Sequence, residues 1–289
     1  MKRLIISCDD LGITKEINLA IRDCAENGVI SSSSIVANGE FYEHALNDII
    51  NKIPISFFGL HLNLTEGAAV NKDEMNVICN EDNIFKISAK SYFLSSFYKP
   101  NEKLKKAVYN ELKSQIQKVL NDGIKISHFD SHEHIHHSPW IFKIITELGK
   151  EFKINKIRLV NEKIILKNYF KDVYYKLKTL NYLKHFLISI CNKKIKNNFL
   201  STDYFFGVLN SGKIKMSELF IYLDSIGSDK SIEVCIHPSN ETYENNKINK
   251  RAFYLSKNRI DEKKLLISDE FKNLLESKKI SLINFSDIH

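Results

Sequence analysis

A chain of 289 residues with 43% hydrophobic side chains buries a substantial core, and its length fits one large α/β barrel or two smaller domains. Its formal net charge of +7 arises largely between residues 151 and 200, where twelve Lys or Arg face three Asp or Glu. Those bases are spread among Ile, Leu, Tyr and Asn without an aromatic-basic motif, so a solvated helical surface is expected there and no nucleic-acid partner.

The five cysteines, Cys8, Cys24, Cys79, Cys191 and Cys235, are odd in number, far apart and free of C-x-x-C spacing. That argues against a disulfide framework or a structural zinc site and fits a reducing cytoplasm. The apolar run Leu4-Ile5-Ile6 is too short for a signal peptide, and no segment has the apolar length of a membrane span.

Leu4 to Cys8 reads as a buried strand ending in Asp9, Asp10 and Gly12, two adjacent acids that are expensive at a strand end unless they are used. A helix is expected from about Thr14, with Ile17, Ala20, Ile21, Cys24 and Ala25 on one face and Asn27-Gly28 as its stop. In the following strand, Val29 to Ala37, the polar centre Ser31 to Ser34 is either a turn-prone edge or a hydroxyl-lined wall. Ile55 to Leu64 alternates, with Gly59, His61 and Asn63 on one face and Phe58, Leu60, Leu62 and Leu64 on the other. In a barrel His61 would look toward the axis, as a candidate metal ligand. Residues 68–99 read as a long loop of the kind that forms a lid or substrate wall. Asn101 to Gly123 is the clearest helix, its apolar stripe being Leu104, Ala107, Val108, Leu112, Ile116, Val119 and Leu120.

That helix leads into the densest polar stretch of the chain, His128-Phe129-Asp130-Ser131-His132-Glu133-His134-Ile135-His136-His137. If the strand runs on into it, His128, Asp130, His132 and His134 share one face, because strand side chains alternate. Such a wall of imidazole and carboxylate suits Zn, Mn, Fe or Co, and carboxylate with water suits Mg. Ser138 and Pro139 then open a helix carrying Trp140, Ile141, Ile144, Ile145 and Leu148.

Lys156 to Val160 is the next expected strand; its Arg158 either orients a buried acid or sits at an exposed edge. Periodicity is weaker over residues 161–200. Thr202 to Gly207 is aromatic, a sugar-stacking wall or simply core. Met216 to Ile226 reads as helix, Ser231 to Pro238 as a strand ending in His237, Ser268 as the cap of a further helix, and Ile280 to Phe285 as the last strand. Strand and helix alternate throughout, so a mostly parallel sheet is expected, with Asp9, Asp10, His61, Asp130, His132 and His237 all near strand C-terminal ends.

The motifs Cys8-Asp9-Asp10-Leu11-Gly12, Gly59-Leu60-His61-Leu62-Asn63, Asp130-Ser131-His132-Glu133-His134-Ile135-His136 and Ile236-His237-Pro238-Ser239 together resemble the YdjC-like carbohydrate deacetylases, the chitooligosaccharide deacetylase and hopanoid-associated group, over nearly the whole chain. The resemblance implies a single domain over 1–289, a distorted (β/α) barrel of TIM-barrel type, and metal-dependent removal of acetyl from an N-acetylated sugar. It implies one divalent ion on Asp10, His61 and His132, Mg by family habit, with Zn, Mn or Co also admitted. Asp9 is then the expected base and His237 the general acid. Asp130 and His134 would orient ligands, and Arg158 an acid or the substrate. Where the family often has A-D-D-F-G this chain has Cys8 and Leu11, and Arg158 leads into Val160-Asn161-Glu162 where a Pro-containing turn is common. Two alternatives stay open: a phosphoesterase of similar barrel, needing basic phosphate clamps, and a catalytically silent sugar-binding protein. A homodimer is also open.

Overall fold

The computed structural model describes residues 1–27, 29–52, 58–73, 75–165, 180–240 and 256–289. Its strands are β1 (Arg3–Leu11), β2 (Ser32–Ile35), β3 (Phe58–Leu62), β4 (Phe129–Ser131), β5 (Tyr204–Phe206), β6 (Ser231–Ile236) and β7 (Ser281–Leu282). They lie in the order β4-β3-β2-β1-β6-β5, all parallel, with β7 paired to the first residues of β1. The sheet curls into a half-barrel. Main-chain bonds carry the curl further: the Phe129 N–H donates to the Lys156 carbonyl, the Ile157 N–H to the Leu200 carbonyl and the Phe205 N–H to the Asn161 carbonyl. The distorted α/β barrel expected from the alternation is therefore present, although Lys156 to Val160 makes only two isolated bridges, Ile157 to Phe129 and Lys156 to Leu200, rather than a regular strand.

The alternation of β1 explains the layering. Leu4, Ile6 and Cys8 join the main apolar core, whereas Ser7 and Asp9 meet Arg158 and Ile5 packs with Phe285 and Ile288. The helices α1 (Lys15–Glu26), α2 (Tyr42–Asp48), α3 (Ala89–Leu94), α4 (Glu102–Asn121), α5 (Pro139–Glu151), α6 (Leu180–Asn192), α7 (Met216–Ser225), α8 (Lys257–Ile267) and α9 (Asp269–Ser277) connect the strands. Thr14 caps α1, whose Ile17, Ala20, Ile21 and Cys24 are buried as their spacing predicts. In α4, capped by Asn101, the stripe holds except at Leu120, which is 37% exposed. Residue 120 stands at the last turn, where α4 leaves the core.

Residues 68–99 are more ordered than the loop expected. They hold antiparallel bridges from Ala68 to Ile84 and Cys79 to Phe85, and then α3 with Tyr92 and Phe93 buried. The expected last strand is cut to β7, after which a 3₁₀ turn over Phe285–Asp287 buries Phe285. The Phe285 ring stacks on His128 at 3.5 Å between centroids, and Gly59 leaves the space, since a Cβ there would lie 2.3 Å from that imidazole. Burying such an aromatic ring contributes about 2–3 kcal/mol. Of the readings for 55–64 and 161–200, residues 55–57 and 166–179 lie outside the described residues.

Candidate metal and catalytic centre

Strict alternation would send Asp9 and Asp10 to opposite faces. Asp10 instead has φ 72 and Gly12 φ 101, and the β1–β2 register shifts between Cys8 and Leu11. Left-handed backbone at a non-glycine residue is uncommon and gathers at functional sites. Here it turns Asp10 so that both carboxylates face the barrel mouth. His61 and Asp130 are register partners on β3 and β4, so their side chains meet: His61 Nδ1 lies 3.0 Å from Asp130 Oδ1.

The histidine stretch does not continue as a strand. After Ser131 it folds into a 3₁₀ turn with positive φ at Glu133 and His134, and the expected common face breaks at His132. His132 reaches the site, its Nδ1 3.3 Å from Asp10 Oδ1 and its Nε2 3.1 Å from Glu66 Oε2. The other face of the site is His61 Nε2, 3.7 Å from the same Asp10 oxygen. His134 packs edge-on to Phe205 at 5.8 Å, with no hydrogen-bond partner for Nδ1. His128 belongs to the barrel floor.

Asp10, His61 and His132 offer one ligand atom each within 4.8 Å of one another, all buried. Each imidazole has its far nitrogen on a carboxylate, the arrangement that fixes ring orientation and turns the near nitrogen toward an ion. Asp10 Oδ1 is buried without a hydrogen-bond partner, an expense that a cation removes. Charge points the same way. Three buried carboxylates held below their usual range, Asp9, Asp10 and Asp130, face two buried guanidiniums, Arg158 and Arg259, an excess of negative charge that favours a cation. Burial pulls His132 down, but contacts with Asp10 and Glu66 outweigh it and push its pKa up to about 10. The residues fit a divalent ion, whose identity among Mg, Zn, Mn and Co this donor set leaves to experiment.

Arg158 is fully buried at the centre of the charged layer, so the exposed-edge reading falls. Its Nη1 donates to Asp9 Oδ2 at 2.6 Å, Nη2 to Asp9 Oδ1 at 2.8 Å and Nε to Glu233 Oε1 at 2.8 Å. Nη1 also lies 2.9 Å from Asp130 Oδ2, which accepts from Ser34 Oγ at 2.8 Å; of the β2 serines Ser34 reaches the charged layer, while Ser33 Oγ donates to the Cys8 carbonyl. Burial raises Asp9, but Arg158 prevails and holds it below the usual carboxylate range. Glu233, where burial prevails, is raised to about 7.

His237 follows β6 directly. Its N–H donates to Glu262 Oε2 at 2.9 Å. Cys235 Sγ lies 3.8 Å from His237 Nε2 and donates to Asp9 Oδ2 at 3.2 Å. Burial lowers His237 to about 4 against the pull of Asp10 and Asp9, so it is neutral near pH 7.

Asp9, Asp10, His61, Asp130, His132, Arg158 and His237 are thus gathered at one end of the barrel. Sequence reasoning missed Glu66, Glu233, Arg259 and Glu262. Arg259, Glu262 and Leu266 are the buried residues of α8; their i, i+3, i+7 spacing is a core stripe in which two positions are charged, and that was the available signal.

A mostly parallel α/β barrel with an acid and histidine triad at its strand ends defines a class of hydrolase-like sites whose donor set could hold a metal ion. The sequence profile described as YdjC-like protein matches residues 3–277, and the chain belongs to that family. It is 28% identical over 290 residues to a carbohydrate deacetylase of Clostridium beijerinckii, covering 99% of this chain and 100% of the relative. It is 24% identical to a carbohydrate deacetylase of Brevibacillus brevis, covering 99% of each. Among solved structures, one described as a proposed cellobiose-phosphate cleavage protein from Enterococcus faecalis superposes with a TM-score of 0.72 at 20% identity, over 99% of this chain and 98% of that one. It shares the fold.

Proposed function

We propose that the chain is a metal-dependent carbohydrate N-deacetylase that hydrolyses the acetamide of an N-acetylated sugar or chitooligosaccharide. The observation that carries this reading is the triad of Asp10, His61 and His132 flanked by Asp9 on one side and His237 on the other. A divalent ion on the triad would supply Lewis acidity toward the acetyl carbonyl; Mg is our first choice, from the family resemblance.

Amide hydrolysis adds water to the acetyl carbon and then breaks the C–N bond, and the leaving nitrogen must gain a proton. Asp9, held by two Arg158 bonds, takes the proton of the attacking water. His237 hands a proton to the departing amine. Because burial keeps His237 neutral at rest, that proton is one gained in turnover, and Cys235 Sγ is the neighbour shared by Asp9 and His237. Asp130 and Arg158 keep His61 and Asp9 aligned.

The phosphoesterase alternative is disfavoured because Arg158 and Arg259, the two fully buried guanidiniums among the described residues, are both turned onto carboxylates. A silent sugar-binding protein would have no use for Asp9 and His237 side by side. The five cysteines are buried and free of disulfides, which suits a reducing cytoplasm. Among the described residues no helix is long and apolar enough to cross a membrane.

The test is acetate release from N,N'-diacetylchitobiose and a panel of N-acetyl sugars, with chelator-stripped protein restored by Mg, Mn, Co or Zn. Metal-dependent acetate, lost in Asp9→Asn and His132→Ala, is the expected result. Absence of acetate with every sugar and metal, from folded and metal-bound protein, overturns the reading.

A further inference from the structure

Each residue of the triad has a charged side chain behind it, and the three are not alike. His61 has Asp130 and His132 has Glu66, carboxylates that raise the electron density an imidazole offers to an ion. Asp10 has a cation. Arg259 Nη2 donates to Asp10 Oδ2 at 2.8 Å, and both side chains are fully buried.

The placement of Arg259 is built in. Along α8 it shares the buried face with Glu262, one turn on, and Leu266. Glu262 accepts the His237 N–H at 2.9 Å and the Ile214 N–H at 3.2 Å, and the Ser239 N–H donates to the Arg259 carbonyl at 3.2 Å. Helix α8 is therefore pinned to the end of β6, and with it the guanidinium is pinned to Asp10. The two oxygens of Asp10 are left with separate fates: Oδ2 is taken by Arg259, while Oδ1 faces His61 and His132 without a hydrogen-bond partner.

We propose that Arg259 is a positioning residue that holds Asp10 to one-oxygen ligation. It occupies Oδ2, so a divalent ion meets Oδ1 alone, and its positive charge draws electron density from the carboxylate. The ion is thereby bound less tightly and left more electron-poor, the condition that favours polarising an acetyl carbonyl. Like charges so close in a buried layer repel strongly, so the arrangement exchanges affinity for reactivity. The catalytic half of this inference rests on the deacetylase reading; the binding half does not.

The experiment is calorimetric titration of Mn²⁺ into the chelator-stripped full chain, as wild type, Arg259→Gln and Arg259→Lys, with kcat and KM on an N-acetyl sugar and thermal unfolding alongside. Arg259→Gln is expected to bind Mn²⁺ more tightly than wild type while kcat falls about 10- to 100-fold with KM little changed, and Arg259→Lys is expected to move both values back toward wild type. Loss of Mn²⁺ affinity in parallel with kcat, or an unchanged kcat, overturns the proposal, because Arg259 would then only be holding Asp10 in place or doing nothing. If the Gln variant does not fold, the Lys variant decides: retained affinity with a lowered kcat supports the proposal, and lost affinity or an unchanged kcat overturns it. A wild-type chain that binds Mn²⁺ but releases no acetate would sink the deacetylase reading and leave the calorimetric comparison intact.

Discussion

His61 and His132 lie among carboxylates, whereas His136 and His137, a turn away, lie among main-chain groups, a hydroxyl and an amide. Burial lowers all four, but Asp130, Asp9 and Asp10 outweigh it at His61, and Asp10 and Glu66 do so at His132. At His137 burial prevails and the value falls to about 3; His136 is likewise held well below its ordinary range. His136 Nε2 donates to the Arg158 carbonyl, and its Nδ1 accepts from Ser131 Oγ. His137 Nε2 accepts the Val160 N–H, and its Nδ1 donates to Asn192 Oδ1 on α6. With both ring nitrogens used, these imidazoles are neutral struts that hold the Arg158 segment in place. Partners, and not residue type, decide which histidine is available to an ion.

The sharpest way to break this contrast is through the charged side. Asp9→Asn should lower kcat about 10²- to 10⁴-fold, the usual range for losing a general base, with Mn²⁺ affinity in calorimetry retained. Removing the central cation by Arg158→Met leaves Asp9, Asp130 and Glu233 uncompensated and should destabilise the fold by about 3–5 kcal/mol, read from urea unfolding. If stability were unchanged, the layer would not be held by that guanidinium. On the neutral side the effect is smaller and of another kind. His136→Ala strands the Arg158 carbonyl and should cost about 1–3 kcal/mol while Mn²⁺ still binds; loss of the ion without loss of stability would erase the distinction between the two groups.

The smallest effect is in pH. The His132 pKa is raised from 6.5 to about 10, so its contribution to stability is fully present below 6.5 and disappears as pH rises through about 10. Metal-free protein should therefore lose thermal stability over that window, and saturating Mn²⁺, which takes the place of the proton, should flatten the slope. Equal slopes with and without Mn²⁺ would separate His132 from the ion.

Apolar runs such as Leu4 to Cys8 and the α4 stripe made the strands and helices legible, because burial imposes a period that residue type records. The site was legible where a ligand stood on a regular strand, as His61 does. It was not where the backbone leaves regularity: positive φ at Glu133 and His134 ends the period of two, and neither residue is a glycine that would announce it. Arg259 and Glu262 were hidden for another reason. Polar residues in a helix read as a solvated face, and their burial in α8 comes from partners more than two hundred positions away in the chain, at Asp10, or on another element, at His237.

The barrel floor also bears on the ion pairs above it. Ser281 and Leu282 brace the start of β1, and Phe285 covers His128 and Ile5 from below. Ile5 is the register partner of Glu233 and His128 stands two residues before Asp130, so this segment shields the underside of the charged layer from water, where a buried ion pair is expensive to break.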